Sequence, residues 1–410
     1  MRLKVLAAPA CYIISDETGS DPTAIYELIY SLSLNYNVGF YAITNRAKVR
    51  NPLPKIVKLI ELRTEHGGSL VRQAAFVLKY YREARRIVKE DKPDILHHMS
   101  PPPFGGTFNP LIVFDKVDLP FILGPAMHNV PLSPELLEDL KLMRFGHSWG
   151  DLKSNFEVAR DQMLSNLFSM FKSLINGWFL ETVEKADVII TVNNFTRRAY
   201  EKVTSSKKIR VIPYGVNPKK FPYSPPPRSY EIVTLGGLYK RRGIHHLIEA
   251  MPEIVGEFHE VRLHIVGDGP QKASLLKLSK MLGVDDHIVF HGLVPHYRAS
   301  DLYRAYRIVV LPTLHECFGL VILEGMSSGR PVVVTDAVGP REIVVDGKTG
   351  YIVPMKDPNA LADAICRLLG DYDLCHRMGL EGRRLVEEKY DWKIIAGQYH
   401  KIYEKLAHAD

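Results

Sequence analysis

The chain has 410 residues, 46.5 kDa, 46% hydrophobic and 24% charged residues and a mean hydropathy of −0.08. That is an ordinary globular composition on a chain longer than one core usually grows, so two domains of roughly 200 residues are expected. The net charge of +7 is concentrated in residues 1–215, which hold 28 Lys and Arg against 22 Asp and Glu; this suits a phosphorylated acceptor or an anionic membrane surface, or is an ordinary solvated surface.

No run reaches the roughly 18 apolar residues of a membrane span. The opening Met1-Arg-Leu-Lys-Val-Leu reads as a first strand rather than a signal peptide, so a cytoplasmic protein is expected. Cys11, Cys317, Cys366 and Cys375 form no Cys-x-x-Cys pair, which points to reduced thiols and no metal site. From there on, short β-branched runs alternate with helical-period segments, the pattern of βαβ units around a parallel sheet. Strands are expected near Lys4–Ala7, Val38–Ile43, Ile95–His97, Phe121–Leu123 and Val188–Thr191, with helices at Ile25–Leu34 and Leu70–Glu90. In the second helix Leu70, Ala74, Val77, Tyr81, Ala84 and Val88 recur at spacings of three and four, opposite Arg82, Arg85, Arg86 and Lys89. This is a core-facing stripe under solvated charges, or a face for anionic lipid headgroups. Leu164, Leu167, Phe168, Phe171, Leu174, Ile175 and Trp178 form a second apolar stripe with the same two readings. His97 and His98 close one strand and His128 follows another, each a functional candidate or a hydrogen-bonded structural residue.

Ile212-Pro-Tyr-Gly-Val-Asn-Pro-Lys-Lys-Phe-Pro and Ser224-Pro-Pro-Pro-Arg exclude a continuing helix or central strand and read as an interdomain linker. Beyond it, strands are expected at Glu231–Leu235, Arg262–Val266, Ile288–Phe290, Ile308–Leu311 and Pro331–Thr335, each followed by a turn and a helical pattern. The division is therefore two Rossmann-like domains, 1–215 and 216–390, and 391–410, a helix that packs across the domains or on either one.

The chemistry concentrates after the strand that ends at Pro312. A loop carries Glu316, and Phe318-Gly319-Leu320-Val321 opens a helix that includes Glu324. The carboxyl end of a parallel strand followed by a helix amino terminus favours phosphate. Two carboxylates eight positions apart accept hydrogen bonds from neutral hydroxyls, so the combination suits a sugar nucleotide. Leu235-Gly236-Gly237-Leu-Tyr-Lys240-Arg241-Arg242-Gly and Val266-Gly267-Asp-Gly-Pro supply glycine turns at neighbouring strand ends.

At these residues the chain resembles the retaining glycosyltransferases of the GT-B fold called glycosyl transferases group 1, or family 4. Glu316 and Glu324 match the paired glutamates of that family; Gly329-Arg-Pro-Val-Val and Gly339-Pro-Arg-Glu-Ile-Val-Val-Asp-Gly-Lys-Thr-Gly match their surroundings, and His291-Gly-Leu-Val294-Pro matches an intervening loop. The resemblance implies two facing Rossmann-like doubly wound domains, 1–215 binding the acceptor and 216–390 the nucleotide sugar, and a metal-independent, hexosyltransferase-type transfer from a nucleotide-sugar donor with retention of configuration. It places Glu324 on the ribose hydroxyls and Glu316 against the donor sugar, with Phe318, Gly319, Leu320 and Val321 near the sugar and diphosphate. Gly236, Gly237, Arg242, Gly267 and Val294 complete the donor site. Where the family has an arginine this chain has Gly237, so Arg242, helped by Lys240 or Arg241, is the expected phosphate clamp. Gly19-Ser20 takes the place of the family's early Gly-Gly loop, and His128 the place of a histidine near the reacting carbon. The acceptor is a glycan, a lipid-linked group or a small molecule; a peripheral membrane contact is expected, and no nucleic acid. Two other readings stay open, a sugar-nucleotide epimerase of the same fold and a non-catalytic sugar-nucleotide-binding protein.

Overall fold

The computed structural model describes residues 2–16, 20–64, 70–99, 109–126 and 177–408. They divide into two compact units, one holding the chain through Ile212 together with the stretch from Ala396, the other Pro213–Ile395. Gly19, His128 and all of the second apolar stripe except Trp178 lie outside the described residues.

The first unit is built on a seven-stranded parallel sheet of β1 (Lys4–Ser15), β2 (Gly39–Lys48), β3 (Val57–Glu61), β4 (Ile95–His98), β5 (Phe121–Ala126), β6 (Val188–Thr191) and β7 (Ile209–Val211), in the order β3-β2-β1-β4-β5-β6-β7. The second has a six-stranded parallel sheet of β8 (Glu231–Leu235), β9 (Arg262–Val266), β10 (Ile288–Gly292), β11 (Ile308–Leu311), β12 (Val332–Thr335) and β13 (Gly350–Val353), in the order β10-β9-β8-β11-β12-β13. Central strands such as β11 and β12 are buried along their whole length, because helices cover both faces of a parallel sheet and leave no polar side to alternate with. In the second unit the order reverses between β8 and β11, and such a switch point leaves a crevice at the carboxyl ends of the strands.

Three strands escaped the sequence reading, β3, β7 and β13, and each is a sheet edge. Val-Lys-Leu-Ile-Glu and Ile-Arg-Val mix charges into short runs because one flank meets solvent. The first strand also runs on past Ala7 to Ser15: the register with β2 shifts between Ala7 and Cys11, so the strand absorbs Pro9, which has no N–H to donate.

In the helix Leu70–Glu90 the fully buried side chains described, from Phe76 on, are Phe76, Tyr80, Ala84 and Ile87, while Val77, Tyr81 and Val88 sit half-buried at the margin. The core face is thus rotated from the expected stripe, because the two large rings at Phe76 and Tyr80 take its centre. Opposite them Arg85 pairs with Asp115 at 3.2 Å and Arg86 with Glu83 at 2.6 Å and with Glu90.

The proline-rich stretch after Ile212 belongs to the second unit. Arg330, fully buried and with its pKa pushed down to about 10 by burial, donates to the carbonyls of Ser224 and Pro225 at 2.9 and 3.1 Å. Arg383 donates to those of Pro218, Phe221 and Ser327. Prolines leave carbonyls without a partnering ladder, and guanidinium forks satisfy them. The helix Trp392–Ala407 ends in the first unit, where Tyr399 and Tyr403 are buried. There His97 is held by the Tyr403 hydroxyl at Nδ1, 2.7 Å, and the Gly124 carbonyl at Nε2, 2.6 Å. Burial pushes the His97 pKa down to about 3, so the ring is neutral and serves structure.

Candidate functional site

The loops at the switch point are tied together by backbone. Gly236 N–H donates to the Val266 carbonyl at 2.9 Å and Gly267 N–H to the Gly292 carbonyl at 2.8 Å, so the turns after β8, β9 and β10 form one rim. Glycine is required at Gly267, where φ is +141° and a Cβ would lie 2.0 Å from the Gly236 carbonyl oxygen. Val294 follows on the same rim, half-buried. Gly237 has no room for a side chain: a Cβ would begin 2.6 Å from the Tyr239 ring.

Cationic charge enters through the turn Lys240–Arg242. Gly243 closes it at φ +64°, with its α-carbon packed so tightly that a Cβ would meet the Pro312 carbonyl oxygen at 1.9 Å. The Arg241 carbonyl accepts from Leu314 N–H, 2.8 Å, and from the Thr313 hydroxyl, 3.1 Å. The loop after β11 and the cationic turn after β8 are therefore one packed assembly across the switch point.

Within it Arg242 Nη1 donates to Glu316 Oε2, and both side chains are about four-fifths or more buried, at 20% and 15% exposure. The second Glu316 oxygen accepts from Cys317 N–H at 3.1 Å, which fixes the carboxylate's orientation. Arg242, the expected phosphate clamp, is thus already paired with a carboxylate, but it is not exhausted. Its Nε is buried with no hydrogen-bond partner among the described residues. An orphaned donor on a guanidinium, beside the Gly236 backbone, fits an anionic ligand atom. His315 and Arg241 next to it both have pKa values lowered, first by burial, so His315 is neutral here.

Gly319 caps the helix Leu320–Ser327 with φ +96°, which lets the chain turn sharply from the loop into the helix and leaves its first amides at the rim. Phe318 is buried against Tyr214, ring centroids 5.4 Å apart, and Leu320 and Val321 are half-buried. One turn on, Glu324 is 6% exposed. Its Oε2 accepts from the Tyr303 hydroxyl at 2.8 Å and its Oε1 from His296 Nε2 at 2.7 Å. The structure thus brings Gly236, Gly267, Arg242, Glu316, Phe318, Gly319, Leu320, Val321 and Glu324 onto the loops and helix start of one switch point.

His296, Tyr303 and Phe221 were missed. They come from the turn after β10, the helix Ala299–Ala305 and the proline-rich stretch, and Phe221 packs its ring 5.9 Å from each of the other two. The available signal was His296 just past Val294 on a rim loop; Tyr303 and Phe221 gave none. Among the described residues no group of three His, Cys, Asp or Glu could hold a metal ion, and no helix is long and apolar enough to cross a membrane.

A family model described as Glycosyl transferases group 1 matches residues 229–371, and one described as Glycosyltransferase Family 4 matches residues 60–220. The phosphatidyl-myo-inositol mannosyltransferase of Mycobacterium tuberculosis is 32% identical over 285 residues, 65% of this chain and 71% of that protein. Alignments with curated relatives span from 45% to 71% of those proteins' own length, several under two thirds. Sucrose-phosphate synthase from Thermosynechococcus elongatus matches over 100% of both chains with a TM-score of 0.75 at 20% identity. Anabaena HepE in complex with UDP-glucose matches over 99% of this chain and 100% of that one with a TM-score of 0.63 at 17% identity. At such identities these two structures establish the fold, two parallel-sheet α/β domains of the GT-B type.

Proposed function

We propose, from the premise that this chain belongs to the group 1 glycosyltransferases of family 4, that it moves a hexosyl-type sugar from a nucleotide-sugar donor to a hydroxyl acceptor with retention of configuration. One observation carries the reading of a nucleotide-sugar donor. At a single switch point a carboxylate held by two hydrogen-bond donors, Glu324, stands one turn into a helix whose start adjoins the loop that carries Glu316 and its partner Arg242, a guanidinium with an orphaned Nε. A ribose diol is the chemistry the carboxylate accepts, and a diphosphate the one that the helix start and the guanidinium accept, with Glu316 beside them for the sugar. The UDP-glucose held by the HepE structure supports the same donor class.

In this mechanism Arg242 and the amides of the helix start hold the diphosphate and stabilise the charge that grows on it as the glycosidic bond breaks. Glu316, oriented by Arg242 and by Cys317 N–H, faces the donor sugar, where a contact that strengthens in the transition state raises turnover. The leaving diphosphate takes the acceptor's proton on the face it departs from, which yields retention. Residues 1–215 are proposed to bind the acceptor. The Mycobacterium tuberculosis relative's name supports a lipid-linked, phosphate-bearing acceptor as the first to test.

The test incubates the protein with UDP-, GDP- and ADP-sugars, with and without phosphatidylinositol, and follows nucleoside diphosphate release and the anomeric NMR signal of the product. Release that requires acceptor and yields the donor's anomer supports the proposal. An inverted anomer overturns retention, and release or sugar isomerisation independent of acceptor overturns transfer.

A further inference from the structure

Glu324 is buried, and a buried carboxylate must have its orientation fixed before it can select a ligand. Its two oxygens are held from two different elements, Oε2 by Tyr303 and Oε1 by His296. Tyr303 is fully buried and its phenol is pushed well above the ordinary range, first by burial and then by Glu324, so it remains a donor. Because the carboxylate accepts, His296 Nε2 carries the hydrogen. Behind them Phe221 packs against both rings. The carbonyl of Phe221 in turn accepts from the Ser327 hydroxyl at 2.9 Å, and Ser327 lies on the same helix as Glu324. A closed circuit results, Glu324 to Tyr303 to Phe221 to His296 and back, with the proline-rich stretch latched to the helix.

A single hydrogen bond would leave the carboxylate free to swing about its last torsion. Two donors, one on each oxygen, fix its plane and leave further lone pairs on each oxygen for an incoming diol. We infer that His296, together with Tyr303, is a positioning residue that presets Glu324 for the ribose diol, so that preference for a ribonucleotide is set partly by the turn after β10. The inference rests on the reading of Glu324 as the ribose acceptor. It also makes His296 a hydrogen-bond donor by role, so a neutral amide of similar reach can replace it.

The experiment titrates UDP, GDP and ADP by calorimetry into the full-length protein and takes the tightest one forward against its 2′-deoxy counterpart. Losing one hydroxyl on a charged acceptor corresponds to a preference of about ten-fold for the ribonucleotide in the parent. His296→Ala is expected to bring that preference below about three-fold with deoxynucleotide affinity unchanged, and His296→Gln to restore it. Tyr303→Phe, which keeps the buried ring, is expected to act in the same direction. In turnover assays the His296→Ala effect appears in the donor KM, with kcat retained. Equal losses for both nucleotides, or an unchanged preference in His296→Ala where Glu324→Gln abolishes it, overturns this inference alone. A parent without ribose preference, unaltered by Glu324→Gln, overturns the reading of Glu324 and the inference with it.

Discussion

Glu316 and Glu324 stand eight positions apart on one loop and helix, yet their surroundings neutralise them by opposite means. Glu316 is matched by a full positive charge, Arg242, in a partly shielded pair. Glu324 is buried more deeply and meets two donors, the Tyr303 hydroxyl and His296. An ion pair can redistribute charge when an anion arrives, because the guanidinium has further donors to give. A carboxylate whose two donors are fixed from separate elements can accept hydroxyls on its remaining lone pairs. On the proposed function, charge development falls to one end of the segment and recognition of hydroxyls to the other.

The sharpest way to break the contrast is to remove each carboxylate separately. Glu316→Gln should lower kcat by roughly 10²–10³-fold with little change in donor affinity, the scale of losing one transition-state contact. Steady-state kinetics with calorimetric donor binding separates the two, and a change confined to KM would reject the assignment. Glu324→Ala should instead weaken donor binding by about 1.5–3 kcal/mol while kcat at saturation persists. If both variants fall in the same parameter, the two ends do not differ in role.

Gly243→Ala tests the packing that brings Arg242 to Glu316. A Cβ at φ +64° would strike the Pro312 carbonyl oxygen, so a loss of about 1–3 kcal/mol in urea unfolding is expected, together with weakened nucleoside diphosphate binding. Affinity preserved at full strength would show that the turn does not hold the guanidinium.

His97 extends the Glu324 side of the comparison, a buried polar group held on two atoms by hydrogen bonds from two elements. Its folded pKa, about 3, lies below the ordinary 6.5. The unfolded chain therefore takes up the proton first as pH falls, and stability present above pH 6.5 declines by up to about 1.4 kcal/mol per pH unit until the folded pKa is reached. Urea midpoints across that window should show a steeper acid limb in the parent than in His97→Gln; identical slopes would remove His97 as the source.

The smallest effect is expected from the exposed analogue of the Arg242 pair. Arg85 and Arg86 are already matched by Asp115, Glu83 and Glu90, so the basic face of the helix Leu70–Glu90 offers mainly Arg82 and Lys89 to an anionic surface. At about 1 kcal/mol each these two give only weak attraction, lost as salt rises. Co-sedimentation with anionic vesicles should differ little between the parent and a variant with Gln at all four positions; strong, salt-sensitive binding by the parent alone would revive the basic face as a docking surface.

The paired glutamates were legible because a strand end, a glycine and a helix start lie within a dozen residues, so local sequence carries their placement. The pairing of Arg242 with Glu316 joins residues 74 apart, and no local pattern encodes it. Tyr303 and Phe221 were hidden for the same reason, as their role exists only once β10, the following helix and the proline-rich stretch have packed. Central strands announced themselves as Val and Ile runs because they are covered on both faces. The edge strands β3, β7 and β13 did not, since solvent on one flank admits Lys, Arg and Gly. Arg330 and Arg383 show a further limit: the proline-rich stretch read as a free linker, but two guanidiniums far along the chain bind its carbonyls.

The circuit of the chain also has a consequence for synthesis on the ribosome. The unit that leaves the tunnel ahead of the other takes in a helical stretch, from Ala396, that leaves after it. His97 Nδ1 finds its partner on Tyr403, 306 residues downstream, and Tyr403 also lies against Phe40. At elongation rates of about 5–20 residues per second, a nascent first unit waits tens of seconds with that flank uncovered while the whole second unit is made. The contiguous second unit can close on its own schedule, so the order of translation and the order of completion run in opposite directions.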